Sequence, residues 1–121
     1  MAKIMIVDDS KMIRNALRIF LEAGNHEIVF EAKNGLEAVA AYIEHKPDLV
    51  TMDISMPEMD GVEAVRRIIT FDQNAKIIMM SAVNQKEMVL EALKNGAQNY
   101  LLKPVTKEKV NLAVNQIMGN T

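Results

Sequence analysis

Four short apolar runs in this chain each lead into side chains that can do chemistry. Asp8-Asp9 follows Ile4–Val7, Asp53 follows Leu49–Met52, Ser81-Ala82 follows Ile77–Met80, and Lys103-Pro104 follows Tyr100–Leu102. A fifth run, Glu27–Ala32, leads only to Lys33. Each group has an ordinary explanation when taken alone. An Asp pair suits a turn and a helix N-terminus, Asp53 a loop cap, Ser81 a strand-end hydrogen bond, and Lys103 a lysine lying along the surface. Those explanations weaken together, because each must put its residue at the same end of its strand by chance.

Electrostatics sharpens the point. If the first and third runs are neighbouring strands, they lie roughly 4.8 Å apart. Two carboxylates about 4 Å apart then repel by about 4 kcal/mol at an effective dielectric near 20. Such a cluster persists only if positive charge occupies it. Lys103 supplies one charge and a divalent cation two more. Oxygen donors without His or Cys suit a hard ion such as Mg²⁺, which takes one or two carboxylates, a carbonyl and waters. Cysteine is absent and the two histidines, His26 and His45, fall on other segments, which argues against zinc.

The elements that carry these groups alternate strictly. Ile4–Val7 reads as a buried strand, and Ser10 offers an N-cap for a helix to about Ala23, with Ile13, Ala16, Leu17 and Phe20 at helical spacing. Gly24-Asn25 stops it. Glu27–Ala32 reads as an edge strand, Leu36–Glu44 as a helix halted before Pro47, and Leu49–Met52 as the third strand. Gly61–Phe71 is the third helix, with Asp60 read as its N-cap and not as a site residue. Ile77–Met80, the helix Gln85–Asn95, the short strand Tyr100–Leu102, and a helix capped by Thr106 and carrying Val110, Ala113, Val114 and Ile117 complete the series. Strand and helix in alternation predict an α/β fold, a parallel sheet covered on both faces, with ligands beyond the carboxyl ends of its strands. The third strand delivers Asp53 to that exposed rim and enters a loop, residues 54–61, shaped by Pro57 and Gly61.

Composition narrows the field. The 121 residues are 50% hydrophobic and 25% charged, with a formal net charge of -2, which suits one soluble domain across 1–121. No dense basic run marks a nucleic-acid or membrane surface, and the N-terminal apolar stretch is too short for a signal peptide or membrane insertion, so a cytoplasmic location is expected. Of the 10 methionines, Met52, Met79 and Met80 read as core, while Met56, Met59 and Met88 are candidates for an adaptable partner surface.

The ordered set Asp8-Asp9, Asp53–Gly61, Ser81-Ala82 and Lys103-Pro104 resembles the receiver domain of two-component response regulators, along the full chain and at that family's spacings. The resemblance implies a flavodoxin-like (βα)5 sheet in the order 2-1-3-4-5, which makes the first and third strands neighbours. It implies Asp53 as the phosphoacceptor for a sensor histidine kinase. It implies a Mg²⁺ site from Asp9 and Asp53, from Asp8 largely through water, and from the Ser55 backbone carbonyl. Lys103, Ser81 and Ala82 take phosphoryl-binding positions, and Tyr100 the aromatic position that turns inward with Ser81. The Lys103-Pro104 bond is expected to be cis. Ser55 and Val83 occupy positions that tune dephosphorylation, and Val83, with no group to orient water, implies slow loss of phosphate without a phosphatase.

The output face implied is the fourth helix, fifth strand and fifth helix, including Met88, Glu91, Ala92, Asn95, Tyr100, Lys103 and Lys107. A stand-alone regulator of the chemotaxis type is the leading reading, with the flagellar switch as expected partner; a phosphorelay intermediate or another single-domain regulator is the alternative. A Mg²⁺-dependent phosphohydrolase with an Asp nucleophile is disfavoured, because Ser55 stands where a leaving-group acid is needed.

Overall fold

The apolar runs form five parallel strands, β1 (Lys3–Val7), β2 (Glu27–Ala32), β3 (Leu49–Asp53), β4 (Ile77–Ser81) and β5 (Asn99–Leu102), in the order β2-β1-β3-β4-β5. The computed structural model describes residues 1–119. Five helices alternate with them: α1 (Lys11–Ala23), α2 (Gly35–His45), α3 (Gly61–Phe71), α4 (Lys86–Lys94) and α5 (Lys107–Met118). This is the flavodoxin-like arrangement that the resemblance implies, with β2 at an edge as expected.

Successive residues of the central strands point to opposite sides, so the sheet has two cores. Met5, Val7, Val50, Met52, Ile77 and Met79 pack with α2, α3 and α4. Ile4, Ile6, Leu49, Ile78 and Met80 pack with Leu17 and Leu21 of α1 and Val110, Ala113 and Val114 of α5. Central strands buried on both sides read as continuous apolar runs, and that is how they stand in the sequence. Among the described residues no helix is long and apolar enough to cross a membrane.

The boundaries differ where hydrogen bonding outruns pattern. β3 and β4 each extend one residue further than expected, because Asp53 pairs in register with Met80, and Ser81 with Leu102. The reactive residues are therefore strand residues, held by the ladder. The fourth helix starts at Lys86, after a single 3₁₀ turn at Val83–Gln85. At the end of α1 the left-handed residue is Asn25 (φ 67°), not Gly24 (φ -87°). Asn tolerates that region through its short polar side chain. Gly24 is small for another reason: a Cβ there would stand 2.1 Å from Asn111 Oδ1.

The methionines divide differently from expectation. Met52, Met79 and Met80 are core, as read, but Met59 is buried too, and Met56 and Met88 pack partly buried against the same core. They do not make an exposed partner surface. Met59 is drawn in because its carbonyl accepts from Gly35 N–H at 2.9 Å, tying the loop after β3 to the start of α2.

Gly61 is the glycine on which the loop depends. Its N–H donates to the Ile54 carbonyl at 2.7 Å, and a Cβ would lie 2.0 Å from the Asp53 carbonyl oxygen. Gly61→Ala must therefore push α3 away from β3. The expected cost is about 2 kcal/mol or more, seen as a lower urea midpoint with an unchanged slope.

Candidate functional site

β1 and β3 are hydrogen-bonded neighbours, with Val7 opposite Met52. The next residue on each chain is an acid, so Asp8 and Asp53 emerge side by side. Asp8, Asp9 and Asp53 each offer a carboxylate oxygen within 4.8 Å of the others. The strand pattern predicts Asp53 at an exposed rim. The structure instead sinks it: Asp53 is 5% exposed and Asp8 1%, while Asp9 faces solvent. The loop 54–61 folds back onto the strand end, where Gly61 packs against the Asp53 backbone.

Buried carboxylates need partners, and these have them. Lys103 Nζ donates to Asp53 Oδ1 at 2.9 Å and to Asp8 Oδ2 at 3.1 Å. Ser10 N–H donates to Asp8 Oδ1 at 2.9 Å, and Ile54 N–H to Asp53 Oδ1 at 2.9 Å. Both bonds on Asp53 fall on Oδ1. Its Oδ2 accepts none among the described residues, so one oxygen is anchored and the other is available. The Lys103-Pro104 bond is cis, as expected.

Three carboxylates against one ammonium leave two negative charges unmatched. The deficit shows in Asp53, whose carboxyl is pushed up to about 6: burial is the main cause and Asp8 adds repulsion, against the pull of Lys103 and the Ile54 N–H. Lys103 moves above its ordinary value. Burial alone would lower it, but the bonds and charges of Asp53 and Asp8 outweigh that. An all-oxygen donor set short of two positive charges fits a hard divalent ion. The histidines take no part: His26 Nδ1 accepts from Ala2 N–H at 3.1 Å, and His45 stacks on Phe30.

Ser81 and Tyr100 differ in burial. Ser81 is fully buried, and its hydroxyl has no hydrogen-bond partner among the described residues. An orphan hydroxyl beside a charged cluster is costly unless something binds it. Tyr100 points outward, 44% exposed, and with Ser81, Ala82, Val89 and Leu102 it lines a recess of about 290 Å³. Of the output face read from sequence, Glu91, Tyr100 and Lys107 are exposed, but Ala92 is fully buried and Lys103 belongs to the site. Leu90 and Leu102, both exposed, were missed.

Two polar residues at the site were also missed. Arg14 Nη1 donates to the Asp8 carbonyl at 2.7 Å while its Nε binds Glu31, fixing β1's end to α1 and β2. Gln85 bridges Ala82 and Ser55. Neither announces itself in the sequence, since their partners are set by tertiary placement. Asp60 is the N-cap of α3, accepting from Glu63 N–H at 2.9 Å, as read.

The electrostatics has a measurable consequence. A carboxyl with a raised folded pKa favours the fold while protonated and loses that contribution as pH rises through about 6. Without metal, Asp53→Asn should thus be more stable than the parent at pH 7, by on the order of 1–2 kcal/mol. The gap should close as pH falls toward 4. Thermal melts at several pH values in EDTA check this; an Asn variant less stable than the parent at pH 7 contradicts it.

Comparison with known proteins agrees with this geometry. The family description "response regulator receiver domain" matches residues 4–115. The chemotaxis protein CheY of Listeria monocytogenes is 47% identical over 110 residues, covering 91% of this chain and 92% of that one. CheY of Bacillus subtilis is 45% identical over 117 residues, 97% and 98% of the two chains. Among solved structures, the CheX-CheY-BeF3-Mg complex from Borrelia burgdorferi matches with a TM-score of 0.91 and 36% identity, over 96% of this chain and 88% of that one. With its full-length sequence match, its sheet order and its strand-end cluster of acids and lysine, the chain belongs to the response regulator receiver domain family.

Proposed function

We propose that this chain is a phosphorylation switch in which Asp53 accepts a phosphoryl group from a phosphohistidine of a sensor histidine kinase. The observation that carries the reading is the paired hold of Lys103 on Asp8 and Asp53, at a cluster still two positive charges short. The free Asp53 oxygen attacks phosphorus, the P–N bond breaks, and the histidine nitrogen keeps the electron pair. Lys103 passes from a carboxylate partner to a phosphoryl oxygen, and the orphan Ser81 hydroxyl and the Ala82 N–H reach others. Asp8, Asp9, Asp53 and the Ser55 carbonyl would hold Mg²⁺. When bound, the ion withdraws charge from the phosphoryl oxygens and relieves their repulsion from Asp53.

The product carries close to two negative charges where a carboxylate stood. Drawing Ser81 toward it vacates space beside the recess, and Tyr100 turns in from solvent. Side-chain exchange there alters the exposed face that bears Leu90, Tyr100, Leu102 and Lys107, to which a downstream protein binds. The similarity to CheY proteins favours a chemotaxis role, with the flagellar switch as target, in the cytoplasm. CheX accompanies the Borrelia CheY in its complex with beryllofluoride, a stand-in for the phosphoryl group, and a partner of that kind, such as a phosphatase, fits here as well. Val83, 83% exposed and apolar, cannot orient water, so the acyl phosphate is long-lived without such help. Turnover of phosphomonoesters is not expected, because Ser55 cannot protonate a leaving group.

Acetyl phosphate with Mg²⁺ should add about 80 Da at Asp53, the mass of one phosphoryl group, and should fail to do so in EDTA or in Asp53→Asn. Intact-mass and peptide mass spectrometry read the outcome. A Mg²⁺-dependent adduct at another residue, or none at all, overturns the assignment.

A further inference from the structure

Gln85 joins the two loops that flank the edge between Asp53 and Ser81. It closes the 3₁₀ turn Val83–Gln85, and its side chain folds back, with Oε1 accepting from Ala82 N–H at 2.7 Å and Nε2 donating to Ser55 Oγ at 2.8 Å. The orientation of the amide is fixed by chemistry: a peptide N–H can only donate, so the atom facing it is the oxygen. Ala82 is the first residue beyond the buried Ser81, and Ser55 stands two beyond Asp53. One amide therefore ties the loop after β3 to the loop after β4.

Core packing does not account for the tie. Ser55, Val83 and Asn84 are exposed, and Gln85 is only half-buried. Because water can replace them, bonds of this kind contribute only a modest net amount to folding. What the tie does is occupy the Ala82 N–H, a donor that any anion seated beside Ser81 would need.

We propose that Gln85 is a positioning residue of the phosphoryl site: its amide holds the Ala82 N–H in the unmodified protein and gives it up when phosphoryl oxygens arrive. The proposal rests on the reading of Asp53 as phosphoacceptor. A phosphoryl oxygen is a charged acceptor and makes a stronger bond than an amide carbonyl, so it wins the exchange. Losing that anchor frees the 3₁₀ turn, which runs directly into α4 at Lys86, and loosens the hold on Ser55. Gln85 thus opposes occupation of the site until the anion is present, and passes the event to the start of α4.

The test is titration of the parent, Gln85→Ala and Gln85→Glu with beryllofluoride in Mg²⁺, followed by amide NMR. Gln85→Ala removes the competing acceptor and should bind about threefold to tenfold more tightly. Gln85→Glu keeps an acceptor, adds charge against the anion, and should bind more weakly than the parent. In the free proteins the Ala82 amide resonance should differ between the parent and Gln85→Ala, and in the saturated complexes the two should coincide, because the bond is broken in both. A purely structural role predicts a difference that persists at saturation. If the parent binds and both variants stay within about twofold of it, the role of Gln85 is overturned while the Asp53 assignment stands. A parent that binds no beryllofluoride overturns both.

Discussion

Lys103 is the interaction on which the rest depends. Its ammonium lies 2.9 Å from Asp53 and 3.1 Å from Asp8, two carboxylates that the parallel pairing of β1 and β3 forces together. Without it, like charges a few ångströms apart and shielded from water would cost a sizeable share of a small domain's stability. With it, the cluster is held together yet remains underneutralised; the carboxyl of Asp53 is raised first by burial and then by the repulsion of Asp8. A site balanced inside the protein would have no call on an external cation. A site with no lysine could not be assembled before one arrived.

The surrounding structure supports that compromise from several directions. Arg14 clamps the Asp8 backbone, the Ser10 N–H binds one Asp8 oxygen, and the Ile54 N–H anchors one Asp53 oxygen. Gly61, pressed against the Asp53 carbonyl, lets the loop close over the strand end. Glu58, at φ 69°, takes a left-handed turn within that loop, a conformation a residue with a Cβ adopts only when its surroundings demand it. These contacts fix the carboxylates more tightly than a surface acid could be fixed, and orientation is the main thing a protein can add to phosphoryl transfer.

The strand-end acids, hydroxyl and lysine were legible because an apolar run followed by a charged residue is a local pattern. The neighbouring of β1 and β3 was not. Ile4–Val7 and Ile77–Met80 are equally apolar, and periodicity does not say which of them flanks β3; in fact both do. That step came from family resemblance. Burial of Asp53 is not legible in the spacing, because it depends on how neighbouring strands and Lys103 pack around the strand end. Which residue of Gly24-Asn25 takes the left-handed turn is likewise a matter of tertiary placement: it is Asn25, while Gly24 lies against Asn111, 87 positions along the chain. Gln85 and Arg14 fall on segments whose pattern reads as helical, and only tertiary placement shows what they hold.

Burial of Asp53 constrains the proposed switch. A carboxylate exposed at a rim could gain a phosphoryl group with little disturbance to its surroundings. One at 5% exposure cannot, because the larger anion needs room and donors that the closed loops do not yet present. The molecule keeps both close at hand: a buried Ser81 hydroxyl with no partner among the described residues, and a recess beside it that the outward Tyr100 leaves open. In the proposed switch, filling the first and the second would be parts of one rearrangement, since Met79 opposite Tyr100 and Ser81 opposite Leu102 place both on the same pair of strands. On the proposed reading, charge added at Asp53 would reach the α4–β5–α5 face, because the missing donors at Asp53 would be met from that direction.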